Sequence, residues 1–326
     1  MILPYALRLL LLCAASYFVV YCAASLAVCA AVPAVMRRSA GKRPRREATL
    51  LAALRLLPLL MALFAVAALC VPGYLRFEPE ADAERAGVLS ILAALCGAAI
   101  VLYGFTRAGG ALWRSVRSAR DIRRSGSPIR LDGEAAPASV LDSDSPLLAL
   151  IGLARPRVVV SRGLLSALSF EQFDAALRHE QAHRASCDNA KRLLFLLAPD
   201  PFVPLGRLEA LERAWARLAE WAADDRAAAG DPRRALSLAE ALVRVARMGC
   251  PAAPCPISAQ LISDGSGLRE RVHRLVELAS QPAAPVNPSA GRLLPLSIVT
   301  GVLVLAFACQ SQVLYSAHQL LEAFLR

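Results

Sequence analysis

The sequence predicts a mainly α-helical membrane protein in which three apolar helices, an α+β domain and a fourth apolar helix follow one another. Three observations carry that expectation. Hydrophobic residues make up 56% of the 326, and mean hydropathy is +0.47, too apolar for an ordinary soluble protein. Four runs, about 7–36, 48–74, 87–105 and 293–315, have the ~20 residues that a helix needs to cross a bilayer. The stretch between the third and fourth runs, 107–291, is large enough to bury a core of its own.

The first run is too long for a signal peptide, and a basic cluster follows it where a cleavage site would fall. That cluster, in 37–47, is Arg37, Arg38, Lys42, Arg43, Arg45 and Arg46. The second run holds Arg55 and Pro58; Arg55 is costly at depth and is expected to reach the near interface. The 75–85 loop sets Glu78, Glu80, Asp82 and Glu84 against Arg76 and Arg85. After the third run come Arg107, Arg114, Arg117, Arg120, Arg123 and Arg124. Basic loops stay in the cytoplasm, so 37–47 and the domain after 107 belong inside, and both termini outside. The expected organisation is 1–106 with three spans, 107–291 as a cytoplasmic domain behind a basic juxtamembrane linker, and 292–326 with the fourth span, all in the inner (plasma) membrane. These flanks explain most of the net charge of +11, and the expected contact is membrane lipid. No direct nucleic-acid partner is expected, because 107–130 has one aromatic, Trp113, and no DNA-binding motif.

Within the domain, 110–124 reads as an amphipathic helix on the membrane surface, and the Ser/Pro/Asp-rich 125–146 as linker or loop. Short strands are expected at 147–153 and 157–161. Ser169 with Gln172 makes a capping box that opens a helix ending before Pro199. A proline-free helix, 205–229, stops at Gly230; further helices come at 232–248 and 267–279, with loop between them. The nine cysteines are scattered. Six lie in the apolar runs, where Cys acts as a small apolar residue, and Cys187, Cys250 and Cys255 read as free thiols.

The first long helix of the domain carries the chemistry. His179, Glu180 and His183 form H-E-x-x-H. Positions four apart on a helix lie one above the other, so both imidazoles can reach one metal ion, with Glu180 beside them as a base. With 4 histidines in the chain, a shuffled sequence of this composition would hold the motif about 0.002 times, so accident is a poor explanation. Peptidase zinc needs a third protein ligand and an open position for water. The remaining histidines, His273 and His318, stand in no ligand context. In the next helix Glu220 and Asp224 share a face. Glu220 can ligate, and Asp224 can accept a hydrogen bond from the outer nitrogen of a ligand histidine.

These features together resemble the BlaR/MecR family of membrane-bound zinc metallopeptidases, of the gluzincin type. Gly152 to Val160 resembles the segment before the family's catalytic helix, and His179, Glu180 and His183 match its zinc motif. Asp188 and Asn189 match the acidic position after that motif, Glu220 to Asp224 is similar to its second metal motif, and Leu268 to Val272 resembles its closing helix. The resemblance implies Zn²⁺ held by His179, His183 and Glu220, Glu180 as general base and Asp224 behind the ligands. Gln181 and Ala223 depart from the usual pattern without removing a ligand or the base. About ten residues come after the fourth run, so the family's extracellular penicillin-binding domain and covalent β-lactam binding are not expected.

The implied activity is zinc-dependent endopeptidase cleavage of a cytoplasmic protein, by the resemblance a transcriptional repressor, in signal transduction and antirepression. Glu180 would take a proton from water and pass it to the leaving amine. The strand at 157–161, through Val158, Val159 and Val160, would hold substrate backbone by strand addition. Two other readings stand: a membrane metallopeptidase of the quality-control or prenyl-protein-processing type, and a non-catalytic membrane signal transducer. The charge asymmetry gives a first test. Reporter fusions at residues 80 and 320 should report the outside, and fusions at 41 and 200 the cytoplasm; a cytoplasmic signal at residue 80 overturns the orientation.

Overall fold

A computed structural model describes residues 4–39, 41–77, 87–129, 138–152, 157–249, 259–260 and 267–280, with 310, 312, 314–316 and 319. The chain is mostly helical, with a small sheet, and three helices are long and apolar enough to cross a membrane: Tyr5–Arg38, Pro44–Phe77 and Val88–Ile122. The first is α1. The second is α2 (Pro44–Phe64), which passes through a π-helical stretch, Ala65–Cys70, into α3 (Val71–Phe77). Pro44 opens α2 at the first turn, where a missing N–H costs nothing. The third belongs to α4 (Val88–Ser125). The expected fourth span at 293–315 lies almost wholly outside the described residues. Tyr315, at its end, meets Phe77 edge-on at 5.5 Å.

The helix expected at 110–124 exists as the continuation of the third apolar run within α4. Gly109 and Gly110 leave the helix unbroken, and the arginine-bearing half is held by packing instead. Ala111 meets Leu193 and Leu196, and Ala119 and Ile122 cover one face of the sheet. Gly104 permits a close approach to α7: a Cβ there would stand 2.6 Å from the Leu197 carbonyl oxygen.

The sheet has five strands in the order β1-β2-β4-β3-β5. They are β1 (Ser127–Ile129), β2 (Ala138–Leu141), β3 (Leu148–Ile151), β4 (Arg157–Ser161) and β5 (Ala259–Gln260); β2 and β4 run parallel and the other pairs antiparallel. The two strands expected at 147–153 and 157–161 are β3 and β4. β1 and β2 lie in the segment read as linker. β1 is three residues long and carries Pro128, which a strand tolerates at an edge, so its pairing comes from the neighbour rather than from propensity.

The sheet corrects the reading of Val158, Val159 and Val160 as a substrate ledge. β4 is hydrogen-bonded to β2 on one side and β3 on the other, so its backbone has no free edge to offer. All three valines are core. Val158 and Val160 face the main core with Leu148, Leu150 and Leu164, and Val159 faces the other side with Ala149 and Ile151.

Six helices complete the domain: α5 (Arg162–Ala167), α6 (Phe170–Ser186), α7 (Asp188–Leu197), α8 (Arg207–Ala228), α9 (Pro232–Arg247) and α10 (Leu268–Ser280). The Ser169 and Gln172 capping box opens α6 as the sequence requires. The helix expected to run on to Pro199 is broken at Cys187, whose φ of 54° puts it in the left-handed region. α6 buries Ala175, Ala176 and Leu177 against the sheet face and α9. Most of α8 belongs to a different cluster: Leu208, Leu211, Trp215 and Leu218 pack on Val28 and Val32 of α1 and Leu51 of α2, while Ala227 and Ala228 at its end join the main core.

Arg55 does not reach for an interface. It is buried, its Nε donates to Glu212 Oε1 on α8 at 2.6 Å, and its Nη2 donates to the Ala198 carbonyl at the end of α7 at 2.6 Å. Tyr21 of α1 adds a bond from its hydroxyl to the Pro199 carbonyl at 2.7 Å. Glu212→Ala leaves Arg55 buried without its counter-charge. With Glu212 partly exposed, the expected loss is about 1–2 kcal/mol, read as a lower unfolding midpoint of the detergent-solubilised chain. Equal midpoints would mean that the pair is not what fastens α2 to α8.

Candidate metal centre

His179 and His183 leave α6 on one face, and α8 crosses that face at Glu220. Nε2 of His179 and Nε2 of His183 are 3.1 Å apart. Glu220 Oε2 lies 3.4 Å from His179 Nε2, and Oε1 lies 3.5 Å from His183 Nε2. One donor atom from each residue falls within 4.8 Å of the others, a grouping able to hold a single ion.

The outer nitrogens are both engaged. His183 Nδ1 is 2.8 Å from Asp188 Oδ2, and His179 Nδ1 is 2.9 Å from Asp224 Oδ1. A carboxylate only accepts, so each Nδ1 carries a proton, and the Nε2 of each ring is the atom that faces Glu220 and would meet an ion. Asp224 therefore stands where the sequence put it. Asp188 does the same for the second histidine, and the left-handed corner at Cys187 is what turns the start of α7 back to place it there. Cys187 itself is exposed. Asp225, the neighbour of Asp224, points away and receives a hydrogen bond from Arg274 at 2.8 Å.

One residue of the site was missed by motif and spacing. Arg271 of α10 is buried, with Nε donating to Asp224 Oδ2 at 2.9 Å and Nη2 to Oδ1 at 2.7 Å; its Nη1 lies 3.0 Å from Glu220 Oε2. The signal was present in the pattern. Arg271 stands one turn before Leu275, on the helix face that is otherwise core. A charge on an apolar face needs a buried partner.

The charges reflect this packing. Burial alone would raise Asp224, but Arg271 and His179 outweigh it and hold it at about 2. Glu220 is likewise held well below the usual carboxylate range, against burial, by His183 and Arg271. Burial pulls His183 down, yet Glu220 and Asp188 overcome it and carry it up to about 10. Glu180 moves the other way: burial pushes its carboxyl up, only partly opposed by the two histidines. It is 0% exposed, and neither of its oxygens has a hydrogen bond among the described residues. An orphaned buried carboxyl is costly, and beside a two-histidine, one-carboxylate donor set it is the residue that water at an ion would satisfy. The residues thus fit a divalent ion. Two imidazoles and a carboxylate suit zinc and also other first-row metals.

No family model matches the chain, and no curated protein is significantly similar to it. The site's own geometry therefore carries the functional reading.

The purified chain should bind one divalent ion, and His183→Ala or Glu220→Ala should abolish stoichiometric binding by metal analysis. Asp188→Asn and Asp224→Asn, which touch no donor atom, should weaken it by about 10–100-fold. Full metal content in Glu220→Ala would assign the third ligand elsewhere. Affinity should also depend on pH. His183 with its pKa at about 10 is protonated at neutral pH, and an ion must displace that proton. Apparent affinity should therefore rise from pH 6 towards 10 with net proton release, measurable by calorimetry in buffers of different ionisation enthalpy.

Proposed function

We propose that this protein is an integral-membrane, zinc-dependent endopeptidase of the inner membrane that cleaves a cytoplasmic protein to relay a signal. The observation that carries the reading is the orphaned Glu180 carboxyl beside His179, His183 and Glu220, each histidine backed by its own carboxylate. A structural ion would need the three ligands but not an unpaired acid next to them.

A zinc ion at these residues would supply Lewis acidity, polarising a peptide carbonyl and lowering the pKa of water. The chain supplies the remainder. Glu180, raised by burial, is suited to take a proton from water and return it to the departing amine. Asp188 and Asp224 fix the two imidazoles in the orientation that ligation needs, and Arg271 holds Asp224 and Glu220 in place. His179 and Glu180 are fully buried, and of the three ligands Glu220 alone is partly exposed, at 12%. A peptide therefore reaches Glu180 only after the domain opens, which suits an enzyme kept idle until a stimulus arrives.

The basic 37–47 loop and the arginines of α4 support a cytoplasmic domain. The order of spans and motifs resembles the BlaR/MecR family, and on that resemblance the substrate is a transcriptional repressor. The buried site favours one second reading, a non-catalytic transducer with a structural ion. A single substitution separates the two. Glu180→Gln keeps shape and ligands but removes the base. Metal content should survive, and proteolysis should fall by ~10²–10⁴-fold, compared by proteomics of cells carrying either form. If signalling persists in Glu180→Gln and is lost in His183→Ala, the ion is structural.

A further inference from the structure

Outside the metal centre, the fold brings two thiols of the apolar helices together among the described residues. Cys13 Sγ and Cys70 Sγ lie 3.8 Å apart. Cys13 is on α1 and Cys70 closes the π-helical stretch of the second apolar helix. At 1.5 Å per residue, each lies about 10–12 Å along its helix from the nearest end, Tyr5 or Phe77.

Three features of the surroundings act on this pair. The i→i+5 stretch at Ala65–Cys70 inserts a residue into the regular helix, which rotates the rest of the helix by about 100°. That rotation brings Cys70 to face α1. Ser16, one turn on from Cys13, donates its hydroxyl to Cys70 Sγ at 3.9 Å. Leu12 and Tyr74 bury the contact, and the Tyr74 hydroxyl donates to the Tyr5 carbonyl at 3.2 Å, clasping the ends of the two helices. Cys70 is 1% exposed, while Cys13 is half-buried. A disulfide needs sulfurs about 2.05 Å apart, so the approach required is about 1.8 Å, within reach of side-chain rotation.

We propose that Cys13 and Cys70 form a redox-active dithiol inside the apolar helix bundle, closed to a disulfide by a lipid-soluble quinone. In that step both S–H bonds break and one S–S bond forms. Two electrons and two protons pass to the quinone, whose two carbonyl oxygens become the hydroxyls of a quinol. A protein oxidant has no access to a sulfur as buried as Cys70, whereas half-buried Cys13 lies on a helix long and apolar enough to cross a membrane, and lipid is the phase in which a quinone dissolves. The bond would fasten α1 to the α2–α3 helix at one end, while the other ends of the same two helices carry α8.

The test uses the full chain in liposomes, treated with a fully substituted short-chain benzoquinone that cannot arylate thiols, then alkylated, digested and mapped by mass spectrometry. The expected result is one linked Cys13–Cys70 peptide pair, with Cys22 and Cys29 still alkylated as free thiols. Cys13→Ser should leave Cys70 alkylated under the same treatment, in a chain whose metal content shows it to be folded. Cys13 and Cys70 both surviving as thiols under excess quinone, or either one found linked to Cys22 or Cys96, would overturn the proposal.

Discussion

Two carboxylates, the largely covered Glu220 and the buried Asp224, stand one helical turn apart on α8, and Arg271 makes that arrangement stable. Unpaired, each would be forced towards its neutral form, and a neutral Asp224 would no longer hold the His179 Nδ1 proton by charge. Arg271 grips Asp224 with two donors and lies against Glu220 with a third, so one guanidinium fixes the positions of a ligand and of the group that orients another ligand. A lysine could not reproduce this, since it lacks the planar fork. α10 is docked on the main core by Leu268, Val272, Leu275 and Ala279, and Arg271 on the same helix reaches the two carboxylates.

The second binding network joins the domain to the apolar helices. α8 lies on α1 and α2, and Arg55 ties α2 both to Glu212 and to the carbonyl end of α7. A buried arginine in an apolar helix is expensive, and here the cost is offset by a counter-charge and by carbonyls that the end of α7 leaves free. Gly41 completes the contact. With φ of +69° and a Cβ position only 2.3 Å from the Trp221 ring, it admits no side chain, so the turn between α1 and α2 rests directly on the residue next to Glu220.

Much of the site was legible in the sequence because its chemistry obeys short-range rules. H-E-x-x-H and the Glu220–Asp224 spacing are statements about one helix face, and the capping box that starts α6 is a three-residue device. What escaped was set by long-range packing. Arg271 is nearly fifty residues from its partner and looks like one arginine among many. Asp188 was singled out only through the resemblance, and its partner His183 was not, because the chain turns at a non-glycine left-handed residue that no local preference predicts. The three valines of β4 read as an extended apolar strand, as they are, but period and composition do not say whether a strand is at the edge or in the middle. Arg55 was legible as an anomaly and not as a solution, since its partner lies 157 residues away.

The ligands come from helices with different allegiances. α6, which carries His179, Glu180 and His183, is part of the sheet's core; α8, which carries Glu220, joins that core at Ala227 and Ala228 and is seated on α1 and α2 along its earlier turns. The candidate metal centre therefore lies where the two cores meet. Glu220 sits between the two anchorages of α8, so its distance from His179 and His183 answers to how both ends of that helix are seated.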